Sequence, residues 1–303
     1  WVLRKFMNIS GSEGLVAAGN IFMGMTESPV LIKNYLPTMN RSEIFLVMVS
    51  GMGTIAGSVM GTYIGMLGGT DPAAKVLFAT HLLSASVMAV PGSIVLAKML
   101  CPQTEEATDH VAISGKEKEN SNILDAISSG TVTGVKLMTN IAAMLLVFIS
   151  LVALANYITE GVIGRYTGLN DWIVKITDGK AQGLTFQFIL GVITSPFMWL
   201  IGVPSQDIML VGSLLGQKTI LNEFVAYFQL QQWKDAGLFM YEKSILMSTY
   251  ILCGFANISS IGILLGGLGL LAPEKRGLIS RIGVPAMIGG ALFSVPVSYT
   301  HLR

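Results

Sequence analysis

Charged side chains are absent from five long stretches of the chain. These stretches cover residues 44–70, 76–97, 137–159, 181–206 and 244–273. A helix needs about 20 apolar residues to cross the hydrocarbon core of a bilayer, and each stretch reaches that length. A soluble protein can bury one such helix, but five leave too little polar surface to cover them. The pattern predicts an all-α integral membrane protein with several spans.

One apolar segment, residues 12–36, is interrupted by residues that break helices. It contains Gly19, Gly24, Ser28 and Pro29. This composition favours two half-length helices joined at a tip, a re-entrant hairpin, over a single span. Irregular backbone at membrane depth is tolerated only where it lines a protein cavity, so we expect the tip to lie near a functional site.

Similar interruptions occur elsewhere in the chain. Residues 183–215 predict a second re-entrant hairpin, with its break at residues 202–205. The spans at residues 44–67 and 244–271 both have centres rich in Gly, Ser, Thr or Asn. Such centres form poor continuous helices, so two partly unwound transmembrane helices are predicted.

Two acidic side chains lie in helix-broken surroundings that are otherwise apolar. Glu27 lies at the first hairpin, and Glu223 follows the second. A carboxylate is costly at membrane depth, which indicates a functional role. Each acid also precedes one of the polar-centred spans. This duplication is typical of transporters built from inverted repeats, with a binding site between the two halves.

The chain divides by composition into five parts. Residues 1–103 form the first repeat, and residues 161–273 form the second, which opens with an interfacial helix. Between them lie a polar linker at residues 104–130 and a long apolar scaffold helix at 131–160. Residues 274–303 indicate a truncated last span that ends in a foreign tail, because their apolar part is too short to cross a bilayer. The abrupt amphipathic start suggests an N-terminally truncated fragment.

Composition excludes several classes of protein. Of the 303 residues, 52% are hydrophobic and only 12% are charged, about half the charge of an average soluble domain. A net charge of +1 supplies no basic field, so nucleic acid is not an expected partner. Cys101 and Cys253 lack the spacing of metal ligands, and no cofactor is expected.

Four segments resemble the concentrative nucleoside transporter family in their residues and their order. They are residues 19–29, 53–61, 216–230 (GQKTILNEFVAYFQL) and 253–267 (CGFANISSIGILLGG). The resemblance covers nearly the whole chain, and it implies secondary-active nucleoside uptake by symport with sodium. It also implies a homotrimer whose chains each cross the cell membrane several times. We expect this membrane to be a bacterial plasma membrane.

The resemblance also implies the site residues. A nucleoside would be held by Met25, Thr26, Glu27, Val59, Glu223, Phe255, Asn257 and Ser260. The co-transported sodium ion would be held by Asn20, Met23, Thr54 and Ile55. In the family, the base faces the first repeat and the ribose faces the second. Family members usually carry glutamine at the place of Met25, and a thioether is a weak acceptor, so the preference between purine and pyrimidine stays open.

Other functions compete with this hypothesis. Proton coupling through Glu27 or Glu223 is the main alternative to sodium coupling, while His81 is more simply a polar residue satisfied within its span. A passive channel and a membrane-embedded hydrolase with the two glutamates as an acid pair are remote alternatives. The hydrolase lacks any recognised nucleophile or metal motif. Asn257 and Ser260 could also serve only to join helices by hydrogen bonds.

Overall fold

In the computed structural model, each regular secondary-structure element of the described residues is a helix. It describes residues 6–7, 9–106, 153–177, 179 and 181–300, with scattered residues between 122 and 151, and gives no side-chain environment for 293–300. Contacts divide the chain into two compact units, residues 1–111 with 190–303, and residues 112–189. The helical elements agree with the predicted all-α class.

The first predicted hairpin consists of one α-helix and one 3₁₀ segment. Helix α1, Gly11–Gly19, begins at a capping box built on Ser10. After a series of turns, the second arm forms a 3₁₀ helix at Ser28–Ile32, with a proline in its first turn. The hydroxyl of Ser28 donates to the carbonyl oxygen of Val16 at 2.8 Å. The two arms therefore lie side by side, but only the first is α-helical.

The span predicted at residues 44–67 is two helices separated by a short break. Helix α2 is Arg41–Gly53 and helix α3 is Gly57–Gly68. Thr54 and Ala56, which flank the break, have extended backbone conformations. The break lies inside the segment rich in Gly and Thr that predicted an unwound centre.

A long continuous helix completes the first half. Helix α4, Pro72–Leu100, runs through Pro91 without an interruption. Of the described residues, Arg41–Gly68 and Pro72–Leu100 are the two segments long and apolar enough to cross a membrane by length and composition. At about 1.5 Å per residue, α4 is about 43 Å long, which exceeds the roughly 30 Å hydrocarbon core of a bilayer.

The unit formed by residues 112–189 is described only near its end. A π-helical turn covers Tyr157–Gly164, and helix α5 covers Leu169–Ile176, where the sequence predicted an interfacial helix. The predicted polar linker at 104–130 and scaffold helix at 131–160 lie largely outside the described residues.

The second half has a break inside the second predicted hairpin and another directly before Glu223. Helix α6, Phe186–Leu200, and helix α7, Ile208–Ile220, are separated at the predicted place, around Gly202 with its positive φ of 78°. A further break of two residues then separates α7 from helix α8, Glu223–Asp235. Helices α7 and α8 pack against each other.

The position of the acid shows which break corresponds to the first hairpin. Glu27 precedes the second arm of that hairpin directly, and Glu223 is the first residue of α8. By this correspondence the second acidic tip lies between α7 and α8, directly before Glu223, while the hairpin at residues 183–215 stays a prediction. Gly202 and Pro204 signalled the break between α6 and α7, whereas the break at Leu221 and Asn222 contains neither glycine nor proline.

The span predicted at residues 244–271 is also broken. Helix α9 is Glu242–Leu252, helix α10 is Ile258–Leu271, and a non-helical stretch separates them. Helix α11 follows at Arg276–Thr300, longer than the apolar run from which a truncated span was predicted. That run begins after Arg281, but the arginine is exposed and the helix continues across it.

The two breaks contact each other within the larger unit. The backbone N–H of Phe255 donates to the carbonyl oxygen of Thr54 at 3.3 Å. A Cβ on Gly254 would lie 2.9 Å from the carbonyl oxygens of Met52 and Gly53, so the two backbones approach as closely as a glycine permits. The unwound segments of both halves therefore meet at one point, and the site is built around it.

Candidate functional site

A carboxylate and an amide form the centre of the candidate site. Glu223 begins α8, whose N-cap Asn222 accepts a hydrogen bond from the N–H of Val225. The Glu223 side chain is only 6% exposed, and its Oε2 accepts from Nδ2 of Asn257 at 2.8 Å. Because Asn257 lies at the α9–α10 break, this bond joins the second tip to the second unwound segment.

The orientation of Asn257 is fixed by the helix that it caps. Its Oδ1 accepts from the N–H of Ser260 at 2.9 Å and from the Ser260 hydroxyl at 3.0 Å. The hydroxyl of Ser259 donates to the same oxygen at 2.6 Å. With Oδ1 used by three donors, Nδ2 is directed at Glu223. The three sequence-predicted ribose residues, Glu223, Asn257 and Ser260, are therefore connected in one chain of hydrogen bonds.

A tyrosine that was not predicted from the sequence completes this group. The hydroxyl of Tyr63, in α3, donates to Oε1 of Glu223 at 3.5 Å. Its ring is fully buried and stacks on Tyr227 with a centroid distance of 4.0 Å. In the sequence, Tyr63 looks like one more apolar residue of its span. Its position one helical turn after Val59 is the signal that could have found it.

The first tip is partly open and partly packed. Glu27 is exposed, and Thr26 contacts the surface of α10 at Gly267. Met25 is 6% exposed and belongs to a buried apolar cluster, close against Gly51. Its assignment to the base therefore stays a prediction, and its burial indicates that it acts at least partly through packing.

Partly buried residues line the region between the breaks. Val59 packs against the buried apolar cluster that contains Tyr63 and Ile55. Phe255 packs against this cluster and against the cluster that contains Met25. Phe255 is also tied to Thr54 by its backbone bond. The structure therefore brings the predicted apolar contact residues to the same breaks as the polar ones.

A buried oxygen without a partner marks the predicted ion site. Asn20 follows α1 and is 0% exposed, and its Nδ2 donates to Oγ of Ser50 at 2.8 Å. Its Oδ1 has no hydrogen-bond partner in the part of the chain that the structure describes. An orphaned buried amide oxygen costs about 1–3 kcal/mol, so its position indicates a group that the protein itself does not supply.

The other predicted ion ligands lie in the same two segments as Asn20 and Ser50. The hydroxyl of Thr54 donates to the carbonyl oxygen of Ser50 at 3.1 Å, and both residues are buried. Met23 is partly buried, its N–H donates to the carbonyl oxygen of Gly19, and its own carbonyl oxygen lies beyond the end of α1. Oxygen donors of this kind suit a hard cation. Ile55, the fourth predicted ligand, has a buried side chain in the apolar cluster, so only its backbone oxygen could serve.

The site residues lie in segments that match known families. Residues 81–298 match a family described as "Na+ dependent nucleoside transporter C-terminus", and residues 1–70 match one described as "Nucleoside recognition". The first match covers well over half of the chain.

Longer relatives are transporters by name. An "Uncharacterized transporter" of Haemophilus influenzae is 39% identical over 293 residues, which cover 96% of this chain and 65% of that protein. The "Sodium/nucleoside cotransporter 1" of Rattus norvegicus is 38% identical over 309 residues, covering 97% of this chain and 44% of that protein. The chain thus spans between about two fifths and two thirds of the length of these relatives.

Solved structures give the same picture. "CNTnw in an inward-facing substrate-bound state" is 35% identical, with a TM-score of 0.83, over 98% of this chain and 65% of that chain. A CNTnw variant in an outward-facing state is also 35% identical, with a TM-score of 0.85, over 98% and 66%. The arrangement of helices described above is therefore shared with these chains.

Proposed function

Because the chain belongs to the concentrative nucleoside transporter family, we propose that it is the main part of a secondary-active symporter that moves a nucleoside into the cell together with sodium. The observation that carries this proposal is the hydrogen-bonded group of Glu223, Asn257 and Ser260 at the point where two broken helices meet. The relatives of this chain are named as transporters, and we propose no covalent chemistry at Glu27 or Glu223.

The polar group suits the ribose of a nucleoside. Carboxylate and amide oxygens accept hydrogen bonds from sugar hydroxyls, and charged acceptors form the stronger bonds. Glu223 has a lone pair on each oxygen left beyond its bonds to Asn257 and Tyr63. The base then lies toward the first tip, near Thr26, Glu27 and Val59, with Phe255 against the ligand.

The sodium ion is proposed as the second substrate at Asn20. The oxygens of Asn20 and Thr54, with the backbone oxygens of Met23 and Ile55, are donors that replace water around a hard cation. Sodium there would order the first tip, which also contacts the nucleoside. The two bound species then favour each other by the same coupling free energy. Proton coupling remains the competing version, with a glutamate as carrier.

Replacing Asn20 by alanine should remove much of the dependence on sodium. We expect the sodium concentration for half-maximal uptake to rise about tenfold or more, which corresponds to about 1.4 kcal/mol of ion binding. Uptake of labelled uridine by the complete protein in proteoliposomes, measured against sodium at fixed pH, provides the test. Asn40→Ala is the matched control, because Asn40 caps the opposite end of α2 and should cost stability alone. Equal sodium dependence in parent and Asn20→Ala would refute the ion assignment.

Removing the hydroxyl of Tyr63 should weaken ribose binding modestly. Tyr63→Phe keeps the ring stack but loses the bond to Glu223, and we expect a loss of about 0.5–1.5 kcal/mol in nucleoside affinity. Tyr227→Phe is the matched control, because its hydroxyl donates to the carbonyl oxygen of Thr249 and not to Glu223. Affinities from isothermal titration that fall equally in both variants would show that Tyr63 has no special role.

The remaining parts of the proposal follow the family. We propose a multi-pass position in the cell membrane and assembly as a homotrimer, which crosslinking of the complete protein would test. Recovery of chemically unchanged nucleoside after uptake would exclude the hydrolase, and accumulation against a concentration gradient would exclude the passive channel.

A further inference from the structure

A buried lysine outside the predicted site lies beside the break between α9 and α10. Lys218, in the last turn of α7, is 0% exposed, and its Nζ donates to the carbonyl oxygen of Ile251 at 2.8 Å. Ile251 is in the last turn of α9, which ends at Leu252. The last carbonyls of a helix lack N–H partners from the next turn. An ammonium there supplies the missing donor and opposes the negative end of the helix dipole.

A neutral amide side chain occupies the corresponding place in the first half. Asn20 lies just beyond α1 and contacts the last turn of α2 through Ser50, as Lys218 at the end of α7 contacts the last turn of α9. Each residue also lies shortly before the acid of its tip, Glu27 or Glu223. Asn20 leaves an oxygen without a partner in the described part of the chain, whereas Lys218 brings a positive charge of its own.

We propose that the ammonium of Lys218 is the resident cation of the α9–α10 break, and that it is the fixed counterpart of the sodium ion at the α2–α3 break. The inference rests on the proposed function, because it takes the Asn20 site as the exchangeable one. The second half then needs no ion from solution to hold α9 and α7 together. Lys218 acts as a positioning residue for the ribose side of the site.

The charge of Lys218 also serves Glu223. The two residues interact electrostatically, and both are buried. A buried carboxylate without a compensating charge is strongly destabilising, so removal of the ammonium should disturb the ribose site even though Lys218 does not contact the ligand. The fixed cation therefore stabilises both the break and the acid at its tip.

Uridine binding to the complete protein, measured by isothermal titration over a series of sodium concentrations at constant ionic strength, tests this proposal. Lys218→Met keeps the length of the side chain without its charge, and Lys218→Arg keeps the charge. We expect Lys218→Met to lose about tenfold or more in affinity at every sodium concentration, and Lys218→Arg to stay within about threefold of the parent. The ratio of affinities at high and low sodium should stay that of the parent in both variants.

Lys275→Met is the matched control, because it removes another ammonium that donates to a backbone carbonyl oxygen, that of Met39, which is not a residue of the site. Its uridine affinity should equal that of the parent. Parent-like affinity in Lys218→Met would overturn the proposal, and so would a loss of the sodium ratio, because the lysine would then act at the sodium site. Failure of the parent to bind any nucleoside would instead refute the proposed function.

A double variant keeps the proposal testable if Lys218→Met folds poorly. We expect Lys218→Met with Glu223→Gln to melt at a higher temperature than Lys218→Met alone, because the uncompensated carboxylate is gone. Melting temperatures that fall additively in the double variant would overturn the claim that Lys218 compensates the charge of Glu223.

Discussion

Replacing Glu223 by glutamine should weaken nucleoside binding by about 1.5–3 kcal/mol, or roughly 10- to 150-fold, the usual range for a hydrogen bond to a charged group. The exchange keeps the shape of the side chain and a carbonyl oxygen for Asn257 to bond. It removes the charge and one of the two carboxylate oxygens that can accept from ribose hydroxyls. Isothermal titration of uridine into the purified complete protein measures the difference.

Two comparisons make this result specific to the ribose. A 2′,3′-dideoxynucleoside lacks the hydroxyls, so it should bind the parent weakly and lose little more in Glu223→Gln. Glu43→Gln is the control for loss of a buried carboxylate, because Glu43 closes the capping box of α2 and glutamine serves equally well there. Equal losses for ribo- and dideoxynucleosides would move the ribose away from Glu223.

Gly254→Ala should be the most damaging small substitution at the crossing of the two breaks. Gly254 has a φ of 121°, and a Cβ would lie 2.9 Å from two carbonyl oxygens of the other broken helix. The backbone conformation alone costs an alanine about 1–3 kcal/mol, and the contact with rigid backbone adds to it. We expect a loss of about 3 kcal/mol or more in the free energy of unfolding, with loss of nucleoside binding.

Gly262→Ala provides the matched control for this substitution. Gly262 lies within α10, and a Cβ added there would meet no atom within 4 Å, so an alanine should be neutral or slightly stabilising. Melting temperatures of the two variants in the same detergent give the comparison. A Gly254→Ala protein that melts with the parent would show that the two breaks do not meet as closely as described.

Some features of the fold were predictable from the sequence because their signals are local. Prolines, glycines and small polar residues weaken a helix wherever they occur, so the unwound centres within residues 44–67 and 244–271 were found. The break between α7 and α8 gave a weaker signal, because Leu221 and Asn222 are neither glycine nor proline. Leu221 follows the last residue of α7, and Asn222 caps α8 through its side-chain oxygen, which depends on geometry that composition does not express.

Within the site, too, some residues were predictable from the sequence and others were not. Glu223 and Asn257 were conspicuous as polar groups in apolar surroundings, and the structure joins them directly. Tyr63 and Lys218 were missed for different reasons. A tyrosine within an apolar span looks like packing until its hydroxyl meets a carboxylate, and the partner of Lys218 is a carbonyl oxygen 33 positions away. Long-range pairs of this kind are set by the packing of helices.

The measurement that tests the central claim most directly is uptake of labelled uridine and adenosine into proteoliposomes that contain the complete protein, under an inward sodium gradient. Symport predicts that nucleoside accumulates inside above its external concentration, and that accumulation disappears when sodium is equal on both sides. Accumulation that ignores sodium and collapses when a protonophore abolishes a proton gradient would contradict the account, and would make a glutamate the carrier of the coupled ion.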